Sequence, residues 1–159
     1  MPNEHLTVRE TPIRVGDKAP DFTLPDQDRK DVTLSEHLKA GKTVVLSFFP
    51  MAFTSVCGTE MGCFTRDLGK FKEKNTVVLG VSCDSFATLK AWSEAEGIKA
   101  TMLADMHRAV CRAYGMYFAP LNVAGRGTVV IGPDGVVKWV EARELKDAVK
   151  NEDVLAAIS

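Results

Sequence analysis

Lys42 to Pro50 reads KTVVLSFFP, a nearly unbroken apolar run rich in β-forming residues. A run of this length and composition suits a strand buried on both faces, and such a strand needs other elements packed above and below it. A second run of the same kind, in NTVVLGVSCDS, ends at Cys83. Between them Ser55 to Lys74 predicts a helix: Cys57, Met61, Phe64, Leu68 and Phe71 recur at spacings of 4, 3, 4 and 3 and form one apolar stripe. Pro50 stops the first run, and Cys57 is the first member of the stripe, so a cysteine stands where strand gives way to helix.

The remaining elements follow the same alternation. Short strands are expected at Asp21–Leu24 and Asp31–Leu34, then a brief helix from Ser35, its predicted N-cap. Asp84 or Ser85 caps a helix that runs to Gly97, with Phe86, Leu89 and Trp92 turned inward. ATMLAD reads as a short strand, and Asp105 caps a helix through Cys111 and Tyr114 that stops at Gly115. RGTVVIGPDGVVKWV reads as a hairpin of Thr128–Ile131 and Val136–Val140 around a Pro-Asp-Gly turn. A final amphipathic helix is expected over Glu144–Ile158. The order predicts an α/β fold of thioredoxin-like plan: a mixed central sheet, helices on both faces and an N-terminal β extension. The 159 residues, 45% of them hydrophobic, support one domain spanning 1–159, with residues 1–14 as a loose polar arm.

Charge and composition narrow the function classes. The formal net charge is −1, which leaves no footprint for nucleic acid or an anionic membrane. The charged N-terminal stretch lacks the apolar core of a secretory signal, and no window approaches the roughly 20 apolar residues of a membrane span. A cytoplasmic location is the resulting expectation, where standing disulfides are rare.

Four cysteines remain to be explained: Cys57, Cys63, Cys83 and Cys111. Their spacings of 6, 20 and 28 residues contain no C-x-x-C, and His5, His37 and His107 pair with none of them at ligand spacing, so no metal is expected. Thr54 stands where a dithiol oxidoreductase has its first cysteine, which disfavours thiol–disulfide exchange as the activity. Free cysteine is often a small inert core residue, and Cys111, in AVCRAYG, reads that way. Cys57 differs by position: the free N–H groups and dipole of a helix start favour a sulfur anion. Thr54 can bring a hydroxyl to the same volume, and Pro50 can shield it from water. An activated thiol follows, its electrophile undetermined.

PMAFTSVC fits P-x-x-x-T-x-x-C and resembles the active-site signature of the peroxiredoxins, most closely their AhpE-like and thiol-specific-antioxidant branch, with the bacterioferritin-comigratory group nearby. The resemblance extends over nearly the whole chain: VGDKAPDFTLPDQDRKDVTLSEH, VVLGVSCDS, MLAD, AYGM and RGTVVIGPDGVVKWV fall in the family's order. It implies a peroxidase that reduces hydrogen peroxide and organic hydroperoxides without a cofactor. By the resemblance Cys57 is the peroxidatic thiolate, oxidised to sulfenic acid. Thr54 hydrogen-bonds the peroxide, Arg126 holds the thiolate and substrate, Pro50 limits solvent, and Glu60 buttresses the arginine. The reductant is expected to be thioredoxin, glutaredoxin or a low-molecular-weight thiol, and the assembly a homodimer or larger homo-oligomer.

What resets Cys57 stays open in the sequence. The bacterioferritin-comigratory group often places a resolving cysteine five residues on, where this chain has Gly62; Cys63 is one further. Six helical residues rise about 9 Å, beyond the roughly 4.4–6.8 Å between the Cα atoms of a disulfide, so Cys63 requires the helix to unwind. Gly58 and Gly62 weaken the helix there. Cys83, at a strand end on the active-site side, is a second candidate. An external thiol alone is the third. A redox sensor using Cys57 as a stoichiometric switch is the rival from another class.

Overall fold

The two apolar runs lie side by side as parallel strands at the centre of a five-stranded sheet in the computed structural model, which describes residues 2–158. In chain order the elements are β1 (Thr23–Pro25), β2 (Asp31–Thr33), α1 (Leu34–Lys39), β3 (Thr43–Phe48), α2 (Ser55–Glu73), β4 (Thr76–Ser82), α3 (Phe86–Glu96), β5 (Thr101–Ala104) and α4 (Ala109–Ala113). Then come β6 (Tyr117–Phe118), a 3-10 turn (Ala119–Leu121), β7 (Val123–Ala124), β8 (Arg126–Ile131), β9 (Val137–Arg143) and α5 (Asn151–Ala157). The main sheet runs β5-β4-β3-β8-β9. β3, β4 and β5 are parallel, and β8 and β9 close the sheet antiparallel.

Strand alternation sorts the core into two layers. Val44, Leu46 and Phe48 of β3 join Leu79 and Val81 of β4 on the face covered by α1 and α4, through Leu34, Val110 and Cys111. Val45 and Phe49 join Val78 on the other face, beneath Met61, Phe64 and Phe71 of α2, Leu89 and Trp92 of α3 and Val154 of α5. Ser47 of β3 and Thr128 of β8 are direct cross-strand partners with hydroxyls 3.3 Å apart, both fully buried. They set a polar spot into an otherwise apolar surface.

Several expected boundaries shift, each for an identifiable reason. Ser35 is not the N-cap of α1; the helix starts at Leu34, and Asp21 takes the capping role by accepting the Ser35 N–H at 2.9 Å. α4 is shorter than expected, yet Asp105 does hold its start, accepting N–H groups of Val110 and Cys111 at 3.2 and 2.8 Å. The hairpin strands run longer, to Arg126 at one end and Arg143 at the other, and these two residues face each other in register. Pro133-Asp134-Gly135 makes the turn, with Gly135 at φ +81°. The closing helix is half its expected length. Residues 144–150 do not coil, because Leu145 and Val149 give backbone groups to Arg126 and Glu60 instead. α2 is pinned to α5 by Asp67, which accepts from Asn151 at 2.9 Å.

The N-terminal segment, expected as a loose arm, is docked along the sheet. Asn3 exchanges two hydrogen bonds with the Thr23 backbone, the Arg9 and Ile13 N–H groups donate to Arg112 and Tyr114, and Ile13 is buried. The arm lies so close to Gly115 that a Cβ there would meet the Thr11 carbonyl and come within 2.8 Å of Pro12 Cα. Gly115 also sits at φ +68°, where a side chain is strained. Gly115→Ala is therefore expected to lower unfolding stability by about 1–3 kcal/mol. Urea denaturation checks this, and wild-type stability would show the arm to be free. Among the described residues no helix is long and apolar enough to cross a membrane.

Candidate active site

Cys57 lies in the first turn of α2, whose N-cap is Thr54. β3 delivers the chain to this corner. Pro50, buried, ends the strand, and Met51 to Thr54 turn the backbone into the helix. Asp84, just past β4, clamps this loop by accepting from the Ala52 N–H at 2.9 Å and from Ser82 Oγ at 2.7 Å. Phe53 holds a positive φ of 63° at the loop tip and packs its ring 6.4 Å from Trp92. The Cys57 side chain then points inward among Phe49, Met61 and their neighbours and has no exposed surface.

One polar group reaches the sulfur from the sheet. Arg126, first residue of β8, donates from Nη2 to Cys57 Sγ at 2.9 Å. The same guanidinium donates from Nε to Leu145 O at 2.9 Å and from Nη1 to Glu60 Oε1 at 3.2 Å. Three contacts in different directions fix it, and Arg126 is only 3% exposed. A planar guanidinium suits this task because its donors lie in a rigid fork.

Glu60 stands on α2 directly behind the arginine and is fully buried. Its Oε2 accepts from Arg143 Nη2 at 3.1 Å and from the Val149 N–H at 2.9 Å. Ser47 Oγ approaches Oε1 at 3.4 Å, and Arg143 Nη2 also donates to Thr128 Oγ1 at 3.0 Å. The polar spot on the sheet is thus the seat for a carboxylate held between two arginines. Cross-strand cations at Arg126 and Arg143 would repel each other if left alone; Glu60 bridges them. Glu141 adds a second carboxylate to Arg143, at 3.5 Å from Nη1, so Arg126 shares Glu60 and keeps Nη2 directed at the Cys57 sulfur. A cleft lined in part by Met116, Tyr117, Phe118, Gly125 and Leu145 opens onto Arg126 from the solvent side.

Thr54 is exposed, and its hydroxyl donates to Met51 O at 2.8 Å. The proton is therefore committed, and the hydroxyl oxygen is left as an acceptor. Of the residues named from sequence, Cys57, Glu60 and Arg126 are joined by hydrogen bonds, whereas Pro50 and Thr54 stand on the turn that leads into α2, the Thr54 hydroxyl bonded to Met51 O. Arg143 was missed, as was the backbone of residues 145–149. The alternation Trp139, Glu141, Arg143 on one strand side was the available signal; Val137 falls on the other side because of the β-bulge between it and Trp139.

This constellation at a strand-to-helix corner accords with what comparison with known proteins finds. The AhpC/TSA family profile matches residues 15–140. The chain belongs to this family, the peroxiredoxins. Alkyl hydroperoxide reductase E of Mycobacterium tuberculosis is 35% identical over 152 residues, covering 92% of this chain and 99% of that protein. The thioredoxin peroxidase of Echinococcus granulosus is 35% identical over 141 residues, 82% of this chain and 72% of that one. Among solved structures, the reduced 2-Cys peroxiredoxin of Plasmodium vivax superposes with a TM-score of 0.84 at 31% identity, over 92% of this chain and 81% of that one. Peroxidoxin BcpB of M. tuberculosis gives 0.83 at 27% identity, over 92% and 96%.

The other cysteines of this peroxiredoxin lie apart from Cys57. Cys63 is half-buried on the unbroken α2, beside Arg66, Lys70 and Asn151. Six residues along a helix place it about 9 Å further on and roughly 240° round the axis from Cys57. Cys83 was expected near the pocket. It packs instead on the α1/α4 face of the sheet, its Sγ 3.9 Å from that of Cys111. Strand alternation explains this: Leu79, Val81 and Cys83 share one side of the β4 line, and Cys57 is on the other side.

Proposed function

We propose that Cys57 is the nucleophile of a thiol-dependent peroxidase acting on hydrogen peroxide and organic hydroperoxides. The observation that carries this reading is the 2.9 Å contact from Arg126 Nη2 to Cys57 Sγ at a helix start. The sulfur anion attacks the terminal peroxide oxygen, the O–O bond breaks, and the departing oxygen leaves as water or alcohol after taking a proton. Cys57 becomes a sulfenic acid. Arg126, held by Glu60 and Leu145, faces both the attacking sulfur and the charge that grows on the departing oxygen. Thr54, its own proton given to Met51, can accept the peroxide O–H and aim it. Pro50, buried beside the thiol loop, keeps bulk water from competing.

Resetting falls to an external thiol in this reading. An intact α2 separates Cys57 from Cys63, and Cys83 faces the opposite layer in contact with Cys111. The incoming thiol attacks the Cys57 sulfenic sulfur, releases water and forms a mixed disulfide that a second thiol reduces. The names of the relatives, thioredoxin peroxidase and the mitochondrial thioredoxin-dependent peroxide reductase of Drosophila melanogaster, favour a thioredoxin-type reductant over glutaredoxin or a small thiol. Such a cycle requires a reducing compartment, and the cytoplasm is proposed. The exposed apolar Met51 and Phe53 on the loop before α2 support the homodimer, built through loops near the site.

Arg126→Met keeps an apolar stem and removes the cation. Peroxide consumption with excess dithiothreitol should fall about 10²–10³-fold, the usual effect of losing one well-placed donor. An unchanged rate would remove the arginine from the mechanism. Wild type and Cys57→Ser compared in the same assay test the nucleophile itself.

A further inference from the structure

We propose that Cys83 and Cys111 form a second redox site, a dithiol that a hydroperoxide converts to an intramolecular disulfide without help from Cys57. The two sulfurs lie 3.9 Å apart although 28 residues separate them. β4 brings Cys83 to the end of its line, and the turn after β5 lays α4 beneath it, with Cys111 in the middle of that short helix. A disulfide has its sulfurs about 2.05 Å apart, so an approach of roughly 2 Å completes the bond. Cys83 stands beyond the last residue of β4, and α4 has only five residues, so both carriers sit outside the rigid centre of the sheet.

The surroundings assign the two sulfurs different parts. Cys83 is half-buried, so an oxidant reaches it first; Cys111 has no exposed surface. The contact with Cys111, helped by Arg108 and the Ala124 backbone, holds the Cys83 thiol below its ordinary range. The same contact, burial and the charge of Asp105 push the Cys111 thiol up. Asp105 itself is anchored, both oxygens accepting backbone N–H groups of Val110 and Cys111, and its charge opposes a second anion in the cluster. The pair therefore holds one nucleophilic and one protonated sulfur. The Cys83 anion attacks a peroxide oxygen, the O–O bond breaks and water or alcohol departs, leaving Cys83 as sulfenic acid. The Cys111 sulfur then attacks Cys83 sulfur, forming the S–S bond and releasing water with the thiol proton. Two thiols lose two electrons, and the peroxide gains them.

The test treats full-length wild type and Cys57→Ser with hydrogen peroxide, blocks free thiols with N-ethylmaleimide in denaturant and maps the peptides. A Cys83–Cys111 linked peptide is expected in both proteins, lost on treatment with dithiothreitol. Cys111→Ala should convert the product at Cys83 to a sulfenic acid that dimedone traps. The proposal is overturned if Cys83 and Cys111 are both alkylated in wild type at peroxide doses that oxidise Cys57. It is equally overturned if the linkage joins two chains, or forms only when Cys57 is present. Because Cys57→Ser carries the decisive arm, failure of the peroxidase reading and failure of this one give different results.

Discussion

Cys57→Ser should remove the fast thiol-dependent peroxide consumption, leaving only the slow residual turnover of the Cys83–Cys111 pair, while keeping the fold intact. Serine differs from cysteine by one atom, and its oxygen can accept the hydrogen bond that Arg126 now gives to sulfur. The site's framework should persist, since Arg126 keeps Glu60 and Leu145 as partners. What disappears is the chemistry: an alcohol is a far weaker nucleophile than a thiolate, and the helix start and one guanidinium do not make up the difference. Steady-state peroxide loss with excess dithiothreitol gives the comparison, and circular dichroism shows whether folding is preserved. Substantial turnover in the folded variant would move the nucleophile elsewhere, with Cys63 and the Cys83–Cys111 pair as the remaining thiols. Turnover in wild type also separates the enzyme from a sensor, which would consume a single equivalent and stop.

Glu60→Ala is expected to be the most damaging single change to stability in the site. Glu60 is wholly buried and binds both Arg126 and Arg143, which are themselves only 3% exposed in the first case and nearly buried at the side chain in the second. Removing the carboxylate leaves Arg126 without its carboxylate partner and facing Arg143 across β8 and β9, Arg143 keeping only the partly exposed Glu141, with the Val149 N–H orphaned. Breaking a buried ion pair from one side costs about 3–5 kcal/mol, because the remaining charge is stranded away from water. At roughly 2–4 °C per kcal/mol for a chain of this size, the thermal midpoint should drop by about 10 °C. Peroxidase rate should fall as well, since Arg126 loses the partner that sets its orientation. Glu60→Gln keeps the volume but places an amide N–H₂ against a donor, so it should fall between wild type and Glu60→Ala. A midpoint within a degree or two of wild type for Glu60→Ala would mean the arginines find other partners.

Much of this arrangement was legible in the sequence because periodicity reports burial. The runs at Lys42–Pro50 and after Asn75 gave β3 and β4, and the stripe from Cys57 to Phe71 gave α2. The P-x-x-x-T-x-x-C spacing placed Pro50, Thr54 and Cys57 at one corner. Arg143 escaped because β9 was expected to end at Val140, where its apolar run stops. A strand can continue through Glu141-Ala-Arg143 when the inward charge has a buried counter-ion, and that counter-ion, Glu60, lies 83 residues away. The segment 144–150 escaped for a related reason. Its composition suits a helix, but tertiary hydrogen bonds to Arg126 and Glu60 take the backbone groups a helix would need. The contact between Cys83 and Cys111 has no local signal at all. It depends on strand order, which puts the end of β4 over α4, and on a side alternation that turns Cys83 away from Cys57.

The central claim, that peroxide is reduced at the sulfur beside Arg126, is tested most directly by one peptide map. Reduced wild-type protein is mixed with one equivalent of hydrogen peroxide in the presence of dimedone and digested. The account predicts the dimedone adduct on the Cys57 peptide in wild type and its loss, or severe slowing, in Arg126→Met. Peroxide consumed while Cys57 stays a free thiol would contradict it.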